Sequence, residues 1–166
     1  MEIAKKIVIV DDDIDIITVV ESILTSNGYQ VLSANDKVEG LELIKRQKPD
    51  LAILDVMMTT PFEGFELAEE MANDDDLKTI PVIIQTSIEV LTTTKSSVQA
   101  MAQQFRQKPE YSDLRVILVR DLVTGKAGVD YLNNDNAAVW FPVSAFVKKP
   151  VNASVIIPEI EKLLNK

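Results

Sequence analysis

Apolar residues in the first half of the chain form short continuous runs, and stretches with helical spacing separate these runs. Continuous apolar runs are typical of strands buried on both faces, and they predict strands at 6–10, 29–33, 51–54 and 80–84. Apolar residues spaced by three and four predict helices that contain 16–24, 36–44 and 63–73. This alternation predicts right-handed βαβ units, in which a parallel sheet carries helices on both faces.

The alternation stops after Ser87 and returns only near the end of the chain. Residues 88–142 contain a predicted helix near 94–107 and an apolar stretch, RVILVRDLV, that fits a strand or a helix equally. A fifth strand is predicted at 145–148, and the last apolar residues predict a final amphipathic helix. Pro158 lies inside that helix, so we expect the helix to start late or to kink.

Composition limits the chemistry that is open to this protein. Its 166 residues suffice for one core, and we assign 1–166 to a single domain with an insertion within 88–142. Cysteine and histidine are both absent, which excludes disulfides, thiolate or imidazole metal sites and Ser-His-Asp catalysis. No stretch has the features of a signal peptide or approaches the length of a membrane span, so we expect a soluble, cytoplasmic protein.

The net charge is −9 at pH 7, and its distribution indicates the class of partner. Residues 88–142 hold six basic and six acidic side chains, so the excess negative charge lies in the rest of the chain. An acidic chain without a basic face repels nucleic acid and anionic lipid. We therefore expect a protein partner or a cation, and neither nucleic acid nor a membrane.

Polar side chains stand at the ends of several predicted strands. In an open parallel sheet, functional groups gather at the carboxyl ends of the strands. The residues at these ends are Asp11, Asp12, Asp55, Thr86, Ser87 and Lys149. Three carboxylates suit a hard divalent cation such as Mg²⁺, and the lysine and hydroxyl groups suit anionic oxygens that the metal does not reach. Such a site fits phosphoryl transfer, which depends on charge neutralisation and positioning.

Most of these groups have a structural explanation when they are taken singly. The aspartates after the first strand also suit a helix cap, the Thr-Ser pair suits a turn, and Lys149 belongs to a solvated lysine pair. Asp55 is the exception, because burying an unpaired carboxylate at the end of an apolar strand is costly. The functional interpretation depends on all of these groups occurring together, in order, at four strand ends.

The stretches IVIVDDD, LAILDVMM, VIIQTS and FVKKPV together resemble the receiver domain of two-component response regulators. The resemblance covers residues 5–87 and 143–166. It implies a flavodoxin-like α/β fold, a doubly wound five-stranded parallel sheet with strand order 2-1-3-4-5. It also implies that Asp55 is the phosphoacceptor, which receives a phosphoryl group from the phosphohistidine of a histidine kinase or phosphotransfer protein.

The same resemblance assigns roles to the other residues at the strand ends. The Mg²⁺ ligands that it implies are Asp11, Asp12, Asp55 and the backbone carbonyl of Met57. The switch residues that it implies are Thr86, Ser87 and the aromatic Phe146. Lys149 corresponds to the lysine of the family, and the bond from Lys149 to Pro150 corresponds to its cis peptide.

Two parts of the chain depart from the pattern of this family. The loop DVMMTTPFEG has Thr59 where proline is usual and carries one extra residue before Gly64. Thr86 and Lys149 are 63 positions apart, which indicates an insertion of about 40 residues in the region of the fourth helix. The insertion is either a lengthened surface loop or a surface for a downstream partner or a second copy, with Trp140 and Phe141 as candidate anchors.

Two apolar residues bear on the lifetime of the phosphorylated form. In receivers, the positions that flank the hydrolytic water correspond here to Met57 and Ile88. Neither side chain can orient a water molecule. We therefore predict slow autodephosphorylation, with a lifetime nearer hours than seconds.

The leading hypothesis is a stand-alone receiver that acts as a phosphorylation-gated protein-interaction switch. It is not an enzyme in the usual sense, since it would catalyse only its own phosphorylation and dephosphorylation. One alternative is an unphosphorylated pseudo-receiver that serves only as an interaction module. A weaker alternative is a haloacid-dehalogenase-like phosphatase with Asp11 as nucleophile, because VDDDID satisfies the Asp-x-Asp motif of that family.

Overall fold

The computed structural model describes residues 3–56, 63–94, 97–111, 114–133 and 135–165. In these ranges the strands are β1 (Lys6–Val10), β2 (Gln30–Ala34), β3 (Leu51–Asp55), β4 (Val82–Thr86), β5 (Val90–Thr93), β6 (Val116–Asp121), β7 (Ala127–Leu132), β8 (Ala138–Val143) and β9 (Ala145–Lys148). The helices are α1 (Ile14–Ser26), α2 (Lys37–Gln47), α3 (Glu63–Ala72), α4 (Val98–Gln107) and α5 (Ala153–Leu164). Among the described helices, none is long and apolar enough to cross a membrane.

One sheet has the strand order β2-β1-β3-β4-β9, which is the predicted order 2-1-3-4-5 with β9 as the fifth strand. Strand β1 pairs in parallel with β2 and β3, and β3 pairs in parallel with β4. Every residue of β3 and β4 is buried, which explains why these strands are continuous apolar runs rather than alternating ones. The predicted fold class is therefore confirmed.

Side-chain caps define where the helices of this sheet begin. Asp13 precedes α1 and accepts hydrogen bonds from the main-chain nitrogens of Asp15 and Ile16. Asp36 caps α2 in the same way, by accepting from Glu39 N at 2.8 Å. Helix α5 begins directly after Asn152, well before Pro158, so it does not start late, and a kink at Pro158 stays a prediction.

The chain divides into two compact units, the described parts of residues 1–87 with 147–166, and residues 88–146. The second unit contains β5, α4 and β6 as a parallel crossover, followed by the antiparallel strands β7 and β8. The region of the insertion is thus a folded unit with its own sheet rather than a lengthened loop. The assignment of 1–166 to a single domain stays a prediction.

A buried ion pair and an apolar cluster join α4 to the second sheet. Arg106 donates from Nε and Nη2 to Asp130 Oδ1 on β7, at 3.2 and 2.6 Å. The apolar cluster consists of Val98, Ala102, Ile117 and Val119, and partly buried side chains that include Met101, Phe105 and Trp140 pack against it. Because α4 covers one face of this sheet, the second unit has a core of its own.

Trp140 and Phe141 both pack within the second unit, where Phe141 is buried and Trp140 is half-buried. The Trp140 ring lies over Gly128, so close that a Cβ at Gly128 would be 2.2 Å from it. Phe141 is only 2% exposed and contacts Tyr131 edge to face, with ring centroids 5.9 Å apart. The burial of Phe141 contradicts its predicted role as a partner anchor, whereas the anchor role of half-buried Trp140 stays a prediction.

Gly64 in α3 packs directly against the backbone that carries Asp55. Its main-chain nitrogen donates to Val56 O at 3.1 Å, and a Cβ at Gly64 would lie 1.8 Å from Asp55 O. Such a contact is with backbone, which cannot rotate away as a side chain can. A glycine is required here because of close approach and not because of a special dihedral angle.

Replacing Gly64 with alanine should lower the free energy of unfolding by about 3 kcal/mol or more, because the new methyl group displaces the backbone of β3. Gly40→Ala in α2 is the matched control. There the new Cβ would meet the two methyl groups of the Val10 side chain at 2.8 Å, so a side chain rather than the backbone must shift and the loss should be smaller. Urea denaturation of both variants measures the difference, and equal losses would contradict the requirement for close approach at Gly64.

Candidate functional site

The parallel register brings the predicted acidic residues together at the carboxyl ends of β1 and β3. Val10 lies opposite Leu54, so that the residues that follow, Asp11 and Asp55, are neighbours at the sheet edge. One carboxylate oxygen from each of Asp11, Asp12 and Asp55 lies within 4.8 Å of the others. Asp11 is fully buried and Asp55 is 3% exposed, whereas Asp12 faces the solvent.

Lys149 provides the positive charge of this cluster. Its Nζ donates to Asp55 Oδ1 and lies 3.9 Å from Asp11 Oδ2. Its main-chain nitrogen donates to Thr86 O at 3.0 Å, which attaches the end of β9 to the end of β4. The Lys149–Pro150 peptide bond is cis, as the resemblance to receivers implies. Lys149 and not Lys148 is thus the lysine that the structure brings to Asp55.

Burial raises the pKa values of both interior carboxylates. The pKa of Asp11 rises to about 6, mainly because burial disfavours its charged form; the hydrogen bond from Asp13 N opposes the shift and the charge of Asp55 adds to it. Burial also raises the pKa of Asp55, against the hydrogen bond and charge of Lys149. One lysine therefore does not fully offset the cost of two desolvated carboxylates.

The cluster fits a hard divalent cation. Asp11 Oδ1 accepts from Asp13 N at 2.9 Å, but buried Asp11 Oδ2 has no hydrogen-bond partner among the described residues. A buried carboxylate oxygen without a partner is the kind of ligand that a cation satisfies. An all-carboxylate donor set with one exposed member suits Mg²⁺, which retains several waters.

The remaining predicted site residues occupy different surroundings. Thr86 is buried at the end of β4, and Ser87 after it is exposed. Phe146 is buried in β9 and Ile88 is half-buried; both are grouped with the second unit. Met57, the predicted carbonyl ligand, lies outside the described residues. The roles of these residues stay predictions.

A cavity of about 390 Å³ beside Lys149 had no counterpart in the sequence interpretation. Its lining comes from α1 and from the segment that follows β9, and consists of Asp15, Ile16, Val19, Val20, Ser87, Lys149, Pro150 and Val151. Periodicity identifies apolar helix positions, but it assigns them to the core by default. The sequence feature that could have indicated the cavity is Val19. This apolar residue lies outside the buried face of α1, and it is more than half exposed.

The fold and the site together define a doubly wound α/β protein with an acidic cluster at the carboxyl ends of its strands. The family model of the response regulator receiver domain matches residues 7–119. The chain belongs to this family. A receiver domain is a signalling module rather than a true enzyme.

Similar proteins agree with this family assignment. The response regulator MprA of Mycobacterium leprae is 33% identical over 104 residues, which are 63% of this chain and 44% of MprA. The chain spans about two fifths of the length of the curated relatives it matches. Each match therefore covers the receiver region and leaves more than half of the relative unmatched.

Solved structures with the same fold come from several bacteria. The chemotaxis response regulator CheY4 of Vibrio cholerae is 20% identical with a TM-score of 0.61, and the match covers 98% of this chain and all of CheY4. The receiver domain of the sensor histidine kinase PA1611 from Pseudomonas aeruginosa is 14% identical with a TM-score of 0.63, covering 99% of this chain and 100% of that one. That structure has a magnesium ion coordinated in its active site cleft.

The affinity for Mg²⁺ should decrease as the pH falls, because protons compete with the metal for Asp11. With a pKa of about 6, Asp11 is mostly ionised at pH 7.5 and mostly protonated at pH 5.5. One competing proton raises the Mg²⁺ dissociation constant by about fourfold between these pH values. Isothermal titration calorimetry measures the dissociation constant at each pH. The Asp11→Asn variant should bind Mg²⁺ weakly at both pH values. A constant that does not change with pH in the unaltered protein would contradict the prediction.

Proposed function

We propose that this protein accepts a phosphoryl group on Asp55 from the phosphohistidine of a histidine kinase or phosphotransfer protein and acts as a phosphorylation-gated interaction switch. The observation that carries the proposal is the hydrogen bond from Lys149 to Asp55 beside the carboxylates of Asp11 and Asp12. Magnesium in the related PA1611 receiver supports a Mg²⁺-dependent reaction here. We place this activity in the cytoplasm, which supplies the ATP that histidine kinases consume.

In the transfer step, a carboxylate oxygen of Asp55 attacks the phosphorus of the phosphohistidine. The O–P bond forms as the P–N bond breaks, and the imidazole leaves with the electron pair and takes a proton from water. Lys149 would then bind the transferred phosphoryl group, because its Nζ already lies close to both Asp55 and Asp11. Bound Mg²⁺ would supply the positive charge that phosphoryl transfer needs, held by Asp11, Asp12, Asp55 and the Met57 carbonyl.

The cavity between α1 and the segment after β9 suits the phosphodonor protein. Its walls are mostly apolar, with Ile16 and Val19 on α1 opposite Pro150 and Val151. Lys149 lines the same cavity, so a partner bound there is beside the acceptor site. An apolar side chain next to the partner's phosphohistidine would fill it and orient the phosphoryl group toward Asp55.

Phosphorylation would be reported through the end of β4 and through the second unit. The resemblance to receivers assigns the binding of phosphoryl oxygens to the Thr86 hydroxyl and Ser87, and the role of switch aromatic to Phe146, which has no hydroxyl group. We assign the downstream partner, or a second copy of the chain, to the second unit. Its β6–β7 turn exposes Leu122 and Val123, which are apolar residues available for such a contact.

Two observations favour Asp55 over Asp11 as the nucleophile, and so the receiver over a phosphatase. One carboxylate oxygen of Asp11 already accepts a hydrogen bond from Asp13 N. Lys149 donates to Asp55 and remains 3.9 Å from Asp11. Against a pseudo-receiver, the acidic cluster reaches the surface through Asp12, which lines an open pocket with Asp13 and Asp15.

Acetyl phosphate with Mg²⁺ should label the protein, and Asp55→Asn should abolish the label because it removes the nucleophile. Asp11→Asn keeps Asp55 and should label at least about tenfold more slowly, since a metal ligand is lost. Mass spectrometry after borohydride reduction locates the modified residue. Label on Asp11 would favour the phosphatase, and a protein that takes no label would favour the pseudo-receiver.

The phosphorylated protein should persist for hours, because Met57 and Ile88 cannot orient a hydrolytic water. Introducing an amide at either position, as Met57→Asn or Ile88→Gln, should shorten the lifetime by about tenfold or more, the size expected when a group positions a reacting water. Met57→Leu is the control and should leave the lifetime unchanged. Loss of phosphate within seconds from the unaltered protein in Mg²⁺ would refute the prediction.

A further inference from the structure

Gln85 is a polar residue inside the apolar strand β4, and its side chain is fully buried. Neither Oε1 nor Nε2 of its amide has a hydrogen-bond partner among the described residues. An unpaired amide in the centre of a sheet destabilises the fold, whereas an apolar side chain in the same place would not. The presence of glutamine at this position therefore requires an explanation.

The strand register places Gln85 in line with the acidic cluster. Asp55 lies opposite Gln85 in the β3–β4 pair, and Asp11 continues the β1–β3 pair beside Asp55. Residues opposite one another in a sheet project from the same face, so these three form one polar row across β1, β3 and β4. The row beneath it on that face is apolar and fully buried, and consists of Ile9, Ile53 and Ile83.

The unpaired atoms coincide with this polar row. In the described part of the chain, the buried side-chain oxygens and nitrogens without a partner are Asp11 Oδ2, Gln85 Oε1 and Gln85 Nε2. All three belong to residues that flank Asp55 on its two neighbouring strands. These unpaired polar atoms therefore belong to the residues on either side of the Asp55 carboxylate.

Lys149 extends across β4 above Gln85. Its main-chain nitrogen donates to Thr86 O, a bond that in a parallel ladder places Lys149 beside Ser87. Ser87 is two residues beyond Gln85, so Lys149 projects from the same face, one row higher. To reach Asp55 on β3, the lysine side chain must cross the intervening strand β4, on the face from which Gln85 projects.

We propose that Gln85 is a positioning residue of the phosphorylation site, an inference that rests on the function proposed above. When Asp55 becomes phosphorylated, Lys149 Nζ moves to a phosphoryl oxygen and leaves the acyl oxygen of Asp55 without its donor. Gln85 Nε2 then donates to this acyl oxygen, and Gln85 Oε1 accepts from the Lys149 ammonium. The amide thus holds the two reacting groups in their phosphorylated arrangement.

An amide is the side chain that this role needs. It donates and accepts at the same time and carries no charge. Glutamate in its place would add a fourth carboxylate to Asp11, Asp12 and Asp55 and could not donate when ionised. Methionine has a similar length and flexibility but lacks a strong donor or acceptor, so it removes the hydrogen bonds and keeps the packing.

The kinetic experiment compares the full chain with its Gln85→Met variant, using acetyl phosphate and Mg²⁺. The maximal rate of Asp55 phosphorylation should fall about tenfold, the usual effect of losing a hydrogen bond to a charged group. The half-saturating acetyl phosphate concentration and the Mg²⁺ dissociation constant should not change, and the thermal midpoint should stay equal or rise. Ile83→Val, one row lower on the same face, is the packing control, and should lower the midpoint but keep the rate.

The spectroscopic experiment follows the Gln85 side-chain amide of the unaltered protein by ¹⁵N NMR, assigned from the signal missing in Gln85→Met. Phosphorylation should shift these amide protons and slow their exchange with solvent. If Asp55 is labelled but Gln85→Met reacts at the normal rate, or the amide signal does not shift, the positioning role is wrong and the proposed function stands. If the unaltered protein takes no label on Asp55, both are wrong.

Discussion

The structure depends on the burial of two carboxylates, Asp11 and Asp55, at the ends of adjacent central strands. Burial raises the pKa values of both groups, so the folded chain must supply compensating contacts around them. Lys149 reaches them from the far side of β4, and the first turn of α1 places Asp13 N against Asp11. These contacts attach the loop after β9 and the start of α1 to the two carboxylates.

The same constraint explains features that are remote from the carboxylates in sequence. Gly64 permits α3 to pack onto the backbone of Asp55, where even a methyl group would collide. Asp13 has two functions, since it caps α1 and donates its main-chain N–H to Asp11. The residue type at each of these positions is explained by the acidic cluster. Local sequence preferences and the overall fold therefore agree here, as they generally do in natural proteins.

The parallel sheet and its acidic cluster could be predicted because continuous apolar runs identify strands buried on both faces, and the residue after each run stands at the sheet edge. The second unit could not be predicted, because a run such as Val116–Asp121 does not encode which sheet it joins. The match to the family model shows the same ambiguity. It ends at residue 119 within β6, which belongs to the second sheet, whereas the fifth strand of the parallel sheet is β9. The surroundings of Trp140 and Phe141 could not be predicted for the same reason. Trp140 lies over Gly128 and buried Phe141 contacts Tyr131, and only the antiparallel register of β7 and β8 brings these residues together.

If Asp55 is phosphorylated as proposed above, the charge balance at the sheet edge would favour a bound cation. Before phosphorylation, three carboxylates face one lysine. An acyl phosphate carries a charge of about −1.5 to −2 where the carboxylate carried −1, so phosphorylation makes the imbalance larger. Lys149 alone cannot neutralise both the phosphoryl group and Asp11. A divalent cation held by the carboxylates would add the missing positive charge, and Lys149 could then bind the phosphoryl oxygens.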